Sequence, residues 1–220
     1  MISVDTMRMR VVLAAVALLS TGCSAAGADR PFTPGGDAAP ATTANPGAVI
    51  STPETKTIQA GRDLTVQVES PAGLTQAQQA IVEAFTTGYV SSWKAVTSQG
   101  EDDAYLKAAE EQAARDSYTW VRGFVNRGRS AAGTAKLYSI QVASVSGRGA
   151  EVDACVDESA VQVTDADTGQ AIPDQPDWTK PPTAVYLQIA ALRRGDDGRW
   201  RVKAYMHATY PHQRAKECRR

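Results

Sequence analysis

The feature that most constrains the fold is a run of strict alternation between Thr183 and Thr209. Val185, Leu187, Ile189 and Ala191 share one face of an extended chain, and Tyr186, Gln188 and Ala190 share the other. Farther on, Trp200, Val202, Ala204 and Met206 alternate with Arg201, Lys203, Tyr205 and His207. A period of two is that of a half-buried strand. Between the two runs, Gly195 and Asp197-Gly198 suit a hairpin turn that needs positive φ. Such a pair must bury its apolar face against another layer. Trp200 is assigned to the inward face of the last strand.

The helices upstream supply that layer. Thr75 and Gln78 form a capping box, and Ile81, Val82, Phe85, Tyr89, Trp93 and Val96 then recur at three- and four-residue steps. Gly100 marks the end of this helix. A second helical stretch starts near Glu101-Asp102-Asp103, acids that favour a helix N-terminus. A third carries Tyr118, Val121, Phe124 and Val125 on one side and stops before Gly128. The last two read equally as one bent helix or as two.

From Gly133 the period changes to two. Leu137, Ile140, Val142 and Val145 suggest a strand whose alternation slips between Leu137 and Ile140, where a bulge fits. After Gly147-Arg148-Gly149, Val152, Ala154 and Val156 face one way, and Glu151, Asp153, Cys155 and Asp157 the other. The stretch from Ile172 to Pro182 holds Pro173, Pro176, Pro181 and Pro182, too many for an internal strand, and reads as a loop. Leu64, Val66 and Val68 mark a short strand or an extended lead-in.

The beginning of the chain reads as an address rather than as fold. Arg8 and Arg10 precede the apolar run Val11 to Leu19, which ends in Ser20-Thr21-Gly22-Cys23. This is the pattern of a secretory signal. The run is about half the ~20 residues that a membrane span needs. Gly22-Cys23 resembles the lipobox of bacterial lipoproteins, which implies cleavage before Cys23 and lipid on its thiol. Ser20 stands where that motif usually has Leu. Residues 23–60 are rich in Ala, Gly, Pro and Thr and too poor in large apolar side chains to offset their ordering entropy. The expected division is therefore a signal peptide over 1–22, a flexible tether over 23–60 and a folded domain over 61–220. Export favours a disulfide between the remaining cysteines, Cys155 and Cys218.

Three helices followed by a strand meander favour an α+β fold, with helices on one face of a curved antiparallel sheet. The order of elements resembles the nuclear-transport-factor-2-like superfamily of cone-shaped α+β domains. The residues that carry the likeness are Lys136-Leu137-Tyr138, Asp153 to Ser159, Gly198-Arg199-Trp200-Arg201-Val202 and Cys218. With Thr21-Gly22-Cys23 added, the chain resembles the lipid-anchored members common in actinobacteria, mostly of unknown function. The resemblance implies a pocket at the mouth of the cone, lined by Tyr89, Trp93, Tyr118, Phe124 and Trp200. The same aromatics would serve as plain core.

The net charge of −1 gives no footprint for nucleic acid. His207 has the chemistry of a general base, but no catalytic partner is placed beside it by sequence. It reads better as a half-exposed strand residue next to cations. Asp153 and Asp157 would suit proton abstraction, as in the ketosteroid isomerases that the superfamily includes. They share a face with Cys155 and Glu151, however, and that face looks like the outside of the sheet. Asp165, Asp167 and Gly169 echo a calcium loop but miss the spacing of its ligands, and a turn fits better. No metal or cofactor is expected. Two functions remain. One is a non-catalytic lipid-anchored module at the extracytoplasmic face of the cell membrane, binding a protein or an apolar small molecule. The other is a small isomerase or cyclase acting on an apolar substrate in the cone. A buried acid beside Tyr or His inside the cone would favour the enzyme.

Overall fold

A computed structural model describes residues 53–218. Cys23 and the signal-like segment lie outside the described residues, as does most of the expected tether. The elements are β1 (Glu54–Gln59), β2 (Leu64–Ser70), α1 (Gln76–Thr97), α2 (Ala104–Ala108), α3 (Glu111–Val125), β3 (Arg129–Ser146), β4 (Gly149–Asp165), β5 (Val185–Arg194) and β6 (Trp200–Thr209). The strands form one six-stranded sheet in sequence order. The fold is α+β.

Two expectations about the sheet need correction. β2 runs parallel to β3, so the sheet is not wholly antiparallel. The three helices lie between these strands in sequence, a connection long enough to carry the chain back to the end of the sheet at which β2 began. Residues 54–59, assigned above to the tether, form β1. Five of its six side chains are exposed. An edge strand is held by its backbone ladder and does not need apolar side chains, so composition cannot find it. Glu54 and Lys56 place charge along that edge.

α1 begins at the capping box: the Thr75 N–H donates to Gln78 Oε1 at 3.0 Å, and the Gln78 N–H donates to Thr75 Oγ1 at 3.3 Å. Such a cap contributes about 1 kcal/mol. The helix unwinds through Gln99 and Gly100, at φ 56° and 87°. Its stripe of Ile81, Phe85, Trp93 and Val96 is fully buried against Leu64, Val66, Leu137, Val152 and Val202 of the sheet. α2 and α3 are separate helices. Ala109 between them is extended, and the Glu110 N–H donates to Val202 O at 2.7 Å, which hooks the break onto β6.

Strand irregularities decide which side chains face the helices. In β3 the register shifts between Tyr138 and Gln141, with Ser139 at φ 49°. In β6, Ala204 pairs with Ala191 and Val202 with Leu192, so Lys203 is an extra residue. Beyond this bulge the alternation reverses. Val202 is buried and Trp200 packs on the same core, but Tyr205 also packs on it, while Met206 is 61% exposed. The inward stripe is therefore Trp200, Val202, Tyr205 and His207, rather than Trp200 through Met206.

The sheet is also covered on its other side. Leu187 and Ile189 of β5 do not meet the helices. They are buried with Tyr138, Cys155 and Ala208 beneath a C-terminal 3-10 segment, Gln213–Cys218, which contributes Ala215 and Cys218. Cys155 and Cys218 form a disulfide, with Cα atoms 5.2 Å apart. The Tyr138 hydroxyl donates to the Cys218 carbonyl, and Arg214 donates to Asp153 Oδ2 at 2.8 Å.

Candidate functional site

A cavity of about 480 Å³ opens between the helices and the sheet. α1 contributes Tyr89, Ser92 and Trp93, and α3 contributes Asp116, Ser117 and Trp120. The sheet contributes Glu158 from β4, Tyr186 and Gln188 from β5, and Tyr205, His207 and Thr209 from β6. Trp178 and Thr183 reach it from the proline-rich loop.

Glu158 is the chemical centre of this cavity. It follows Val152, Ala154 and Val156 on the inward face of β4 by the same step of two. Its residue is 6% exposed. Tyr186 opposes Val156 across the β4–β5 ladder, which makes Tyr186 and Glu158 diagonal neighbours. Glu158 Oε1 accepts from the Tyr89 hydroxyl at 2.7 Å and from the Tyr186 hydroxyl at 3.3 Å. Burial pushes both phenols well above their ordinary pKa, so both stay protonated and donate. Burial also raises the Glu158 carboxyl to about 7, outweighing the two tyrosine bonds that favour its charged form. Oε2 has no partner among the described residues. It is not sealed off either, because the sealed side-chain oxygens without partners there belong to Thr86 and Asp153.

The walls are aromatic. Trp93 meets Trp120 edge to face at 4.9 Å between ring centroids, and Trp178 lies 6.1 Å from Trp93. On the sheet side His207 lies 5.3 Å from Tyr186 and stacks on Tyr205 at 6.4 Å. His207 keeps an exposed edge, yet enough protein surrounds its ring for burial to lower its pKa, with Asp116 acting weakly in the opposite sense. Gly88 lets α1 approach Tyr205, since a Cβ there would lie 2.9 Å from the Tyr205 hydroxyl.

Of the aromatics expected to line a pocket, Tyr89 and Trp93 reach the cavity. Tyr118 does not; it faces outward on α3 and is 51% exposed. Phe124 supports the wall from behind, 5.0 Å from Trp120 and 6.0 Å from Trp93. Trp200 lies on the inner face but before the bulge, away from the lining. Asp153 and Asp157 sit on the face of β4 opposite Glu158, where Asp153 pairs with Arg214 and Asp157 accepts from Ser159. Asp165 closes a turn by accepting from the Thr168 N–H at 3.0 Å. Among the described residues no three His, Cys, Asp or Glu side chains gather to hold a metal ion.

His207 reaches the cavity because of the bulge, and strict alternation pairs it instead with Lys203. Glu158, Tyr186, Tyr205, Trp120 and Trp178 are not singled out by periodicity. For Glu158 a signal existed, since one more step along Val152, Ala154 and Val156 turns it inward. For Trp178, in an aperiodic loop, there was none.

No family model matches the chain, and no curated protein matches it. Solved structures similar to it include the intermembrane space region of the chloroplast protein ARC6, at 14% identity and TM-score 0.42, covering 63% of this chain and 99% of that one. A ketosteroid isomerase-like protein from Erwinia carotovora atroseptica matches at 13% identity and TM-score 0.36, covering 63% of this chain and all of that one (100%). An Ntf2-like protein involved in plasmid conjugation matches at 10% identity and TM-score 0.28, over 60% of this chain and 51% of that one.

Proposed function

We propose that this chain is an extracytoplasmic lipoprotein, anchored to the cell membrane through Cys23, whose nuclear-transport-factor-2-like domain takes a small apolar-bodied molecule into the cavity around Glu158. The observation that carries the binding reading is the cavity itself. It is about 480 Å³ in volume, is walled by tryptophan and tyrosine, and holds one buried carboxyl with an open oxygen. Small-molecule sites have this make-up, a mostly apolar lining with few placed polar groups. Anchoring is supported by Arg8, Arg10, the short apolar run and Gly22-Cys23. A diacyl or triacyl modification would make attachment stable where one chain would not.

One observation favours the enzyme as a second reading. A carboxyl poised at about 7 can both accept and return a proton at neutral pH. Glu158 would then be the base, with Tyr89 and Tyr186 as positioning residues that hold it from Oε1.

The test has two arms. Wild-type and Cys23→Ala proteins are fractionated, and the membrane-bound form is analysed by mass spectrometry. Lipid mass on Cys23, with release of the variant, is the expected result; a lipid-free secreted wild type would reject anchoring. Small molecules that co-purify with full-length wild type and Glu158→Gln are then extracted and compared. A retained apolar compound supports binding. Conversion of that compound by wild type alone moves the assignment to the enzyme.

A further inference from the structure

The charge of the cavity narrows its ligand. Among the described residues no lysine or arginine lines it. The ionisable lining groups other than phenols are Glu158, Asp116 and His207, and burial disfavours the charged form of His207. An anionic ligand would therefore enter a site with two carboxyl groups and no opposing cation. A purely apolar ligand would fill the aromatic space but would strip water from Glu158 Oε2 and give nothing back. A cation does both jobs at once. Ring faces carry the negative part of the aromatic quadrupole and attract ammonium groups, most strongly on tryptophan. The indoles of Trp120 and Trp178 lie 4.9 and 6.1 Å from that of Trp93, and Tyr89 one helical turn away leads from Trp93 to Glu158.

We propose that the cavity selects an organic cation, a quaternary or protonated amine on an apolar body, with its positive centre drawn to Glu158 and to the indole faces. This rests on the reading of the cavity as a small-molecule site. Oε2 is the acceptor for a protonated amine and the counter-charge for a quaternary one. The serine and threonine hydroxyls of the lining, with no fixed charge, leave the selection by sign to the two carboxyls.

The test compares three probes of similar shape on full-length protein in maltoside micelles, with protein-free micelles as blank. They are phenyltrimethylammonium, the neutral tert-butylbenzene and the anion 4-tert-butylbenzoate. Binding is followed by quenching of tryptophan fluorescence and by ligand-observed NMR. Phenyltrimethylammonium should bind at least about tenfold more tightly than tert-butylbenzene, with the anion weakest. Glu158→Gln should weaken the cation about tenfold and leave the neutral probe within about twofold. Trp120→Leu, at a position 37% exposed to solvent, should weaken the cation severalfold while far-UV circular dichroism and the unfolding midpoint stay close to wild type. If the neutral probe binds as well as the cation, or Glu158→Gln leaves the cation unaffected, the charge selection is wrong and the small-molecule reading stands. If none of the three binds, both fall.

Discussion

Tyr89 and Glu158 are 69 residues apart in the chain and 2.7 Å apart in the fold, the phenol donating to a carboxyl that is almost wholly buried. The bond joins α1 to the middle of β4. Among the described residues Glu158 has no cationic partner, so its charge has a measurable effect on stability.

Its folded pKa of about 7 lies above its unfolded value of 4.5. Between those values the folded state holds a proton that the unfolded chain has lost, so stability falls as pH rises from about 4.5 to about 7. Besides Tyr89 and Tyr186, the charged neighbour that acts on Glu158 is Asp157, which pushes in the same direction as burial. Glu158→Gln keeps an acceptor for both phenols and removes the titration. Denaturant unfolding of both proteins from pH 4.5 to 8.5 should show the variant gaining on wild type by about 3 kcal/mol toward the alkaline end. A constant difference across that range would refute the assignment.

Cys155–Cys218 closes a long loop, with the two cysteines 63 residues apart. On chain entropy the bond contributes about 4 kcal/mol, often less in practice. Cys218→Ser should therefore lower the unfolding free energy by about 2–4 kcal/mol. It should also raise hydrogen exchange in Leu187 and Ile189, which the tail covers. Equal stability of variant and wild type would mean that the tail holds without the bond.

Arg214 gives Asp153 its partner. The Asp153 side chain is only 9% exposed, that of Arg214 is 46% exposed, and Asp153 Oδ1 is sealed without a bond. Arg214→Ala leaves the carboxylate alone and should cost about 1–3 kcal/mol, discounted for the open arginine. Asp153→Asn in the same chain should return part of that loss, which a double-mutant cycle by urea unfolding measures. Additive losses would show that the pair is not coupled.

Gly133 stands at φ +104° where β2 and β4 flank β3, and an added Cβ would meet the Ala160 carbonyl at 2.0 Å. Backbone strain and a clash with main chain act together there. Gly133→Ala should cost about 3 kcal/mol or more, read as a lowered denaturation midpoint or loss of soluble protein. Gly123→Ala meets nothing within 4 Å and is the control.

Local chemistry made the scaffold legible. The Thr75 capping box, the three- and four-residue steps of α1, the slip before Ile140 and the alternation of β4 each depend on neighbours in sequence. The cysteine pairing was an expectation drawn from the signal-like start of the chain, which leaves Cys155 and Cys218 to pair. The cavity depends on register between distant segments, and no window of sequence contains that. Tyr89 and Trp93 were visible as members of a stripe, but the stripe cannot say which end of it faces an opening. Tyr118 has the right type and the wrong side. β1 is held through its backbone, and the parallel entry of β3 beside β2 depends on where a long connection lands.

The extra residue in β6 makes the character of one cavity wall a matter of counting rather than of side-chain choice. Were Lys203 drawn into the ladder so that the strand ran without its bulge, Tyr205 and His207 would turn to the other surface of the sheet and Ala204 and Met206 would take their place. An aromatic, hydrogen-bonding wall would become an aliphatic one with every amino acid unchanged. Two chains with this architecture could thus share every residue of β6 and accept different guests by keeping or losing the bulge, and a comparison aligned on residue identity alone would overlook the reason.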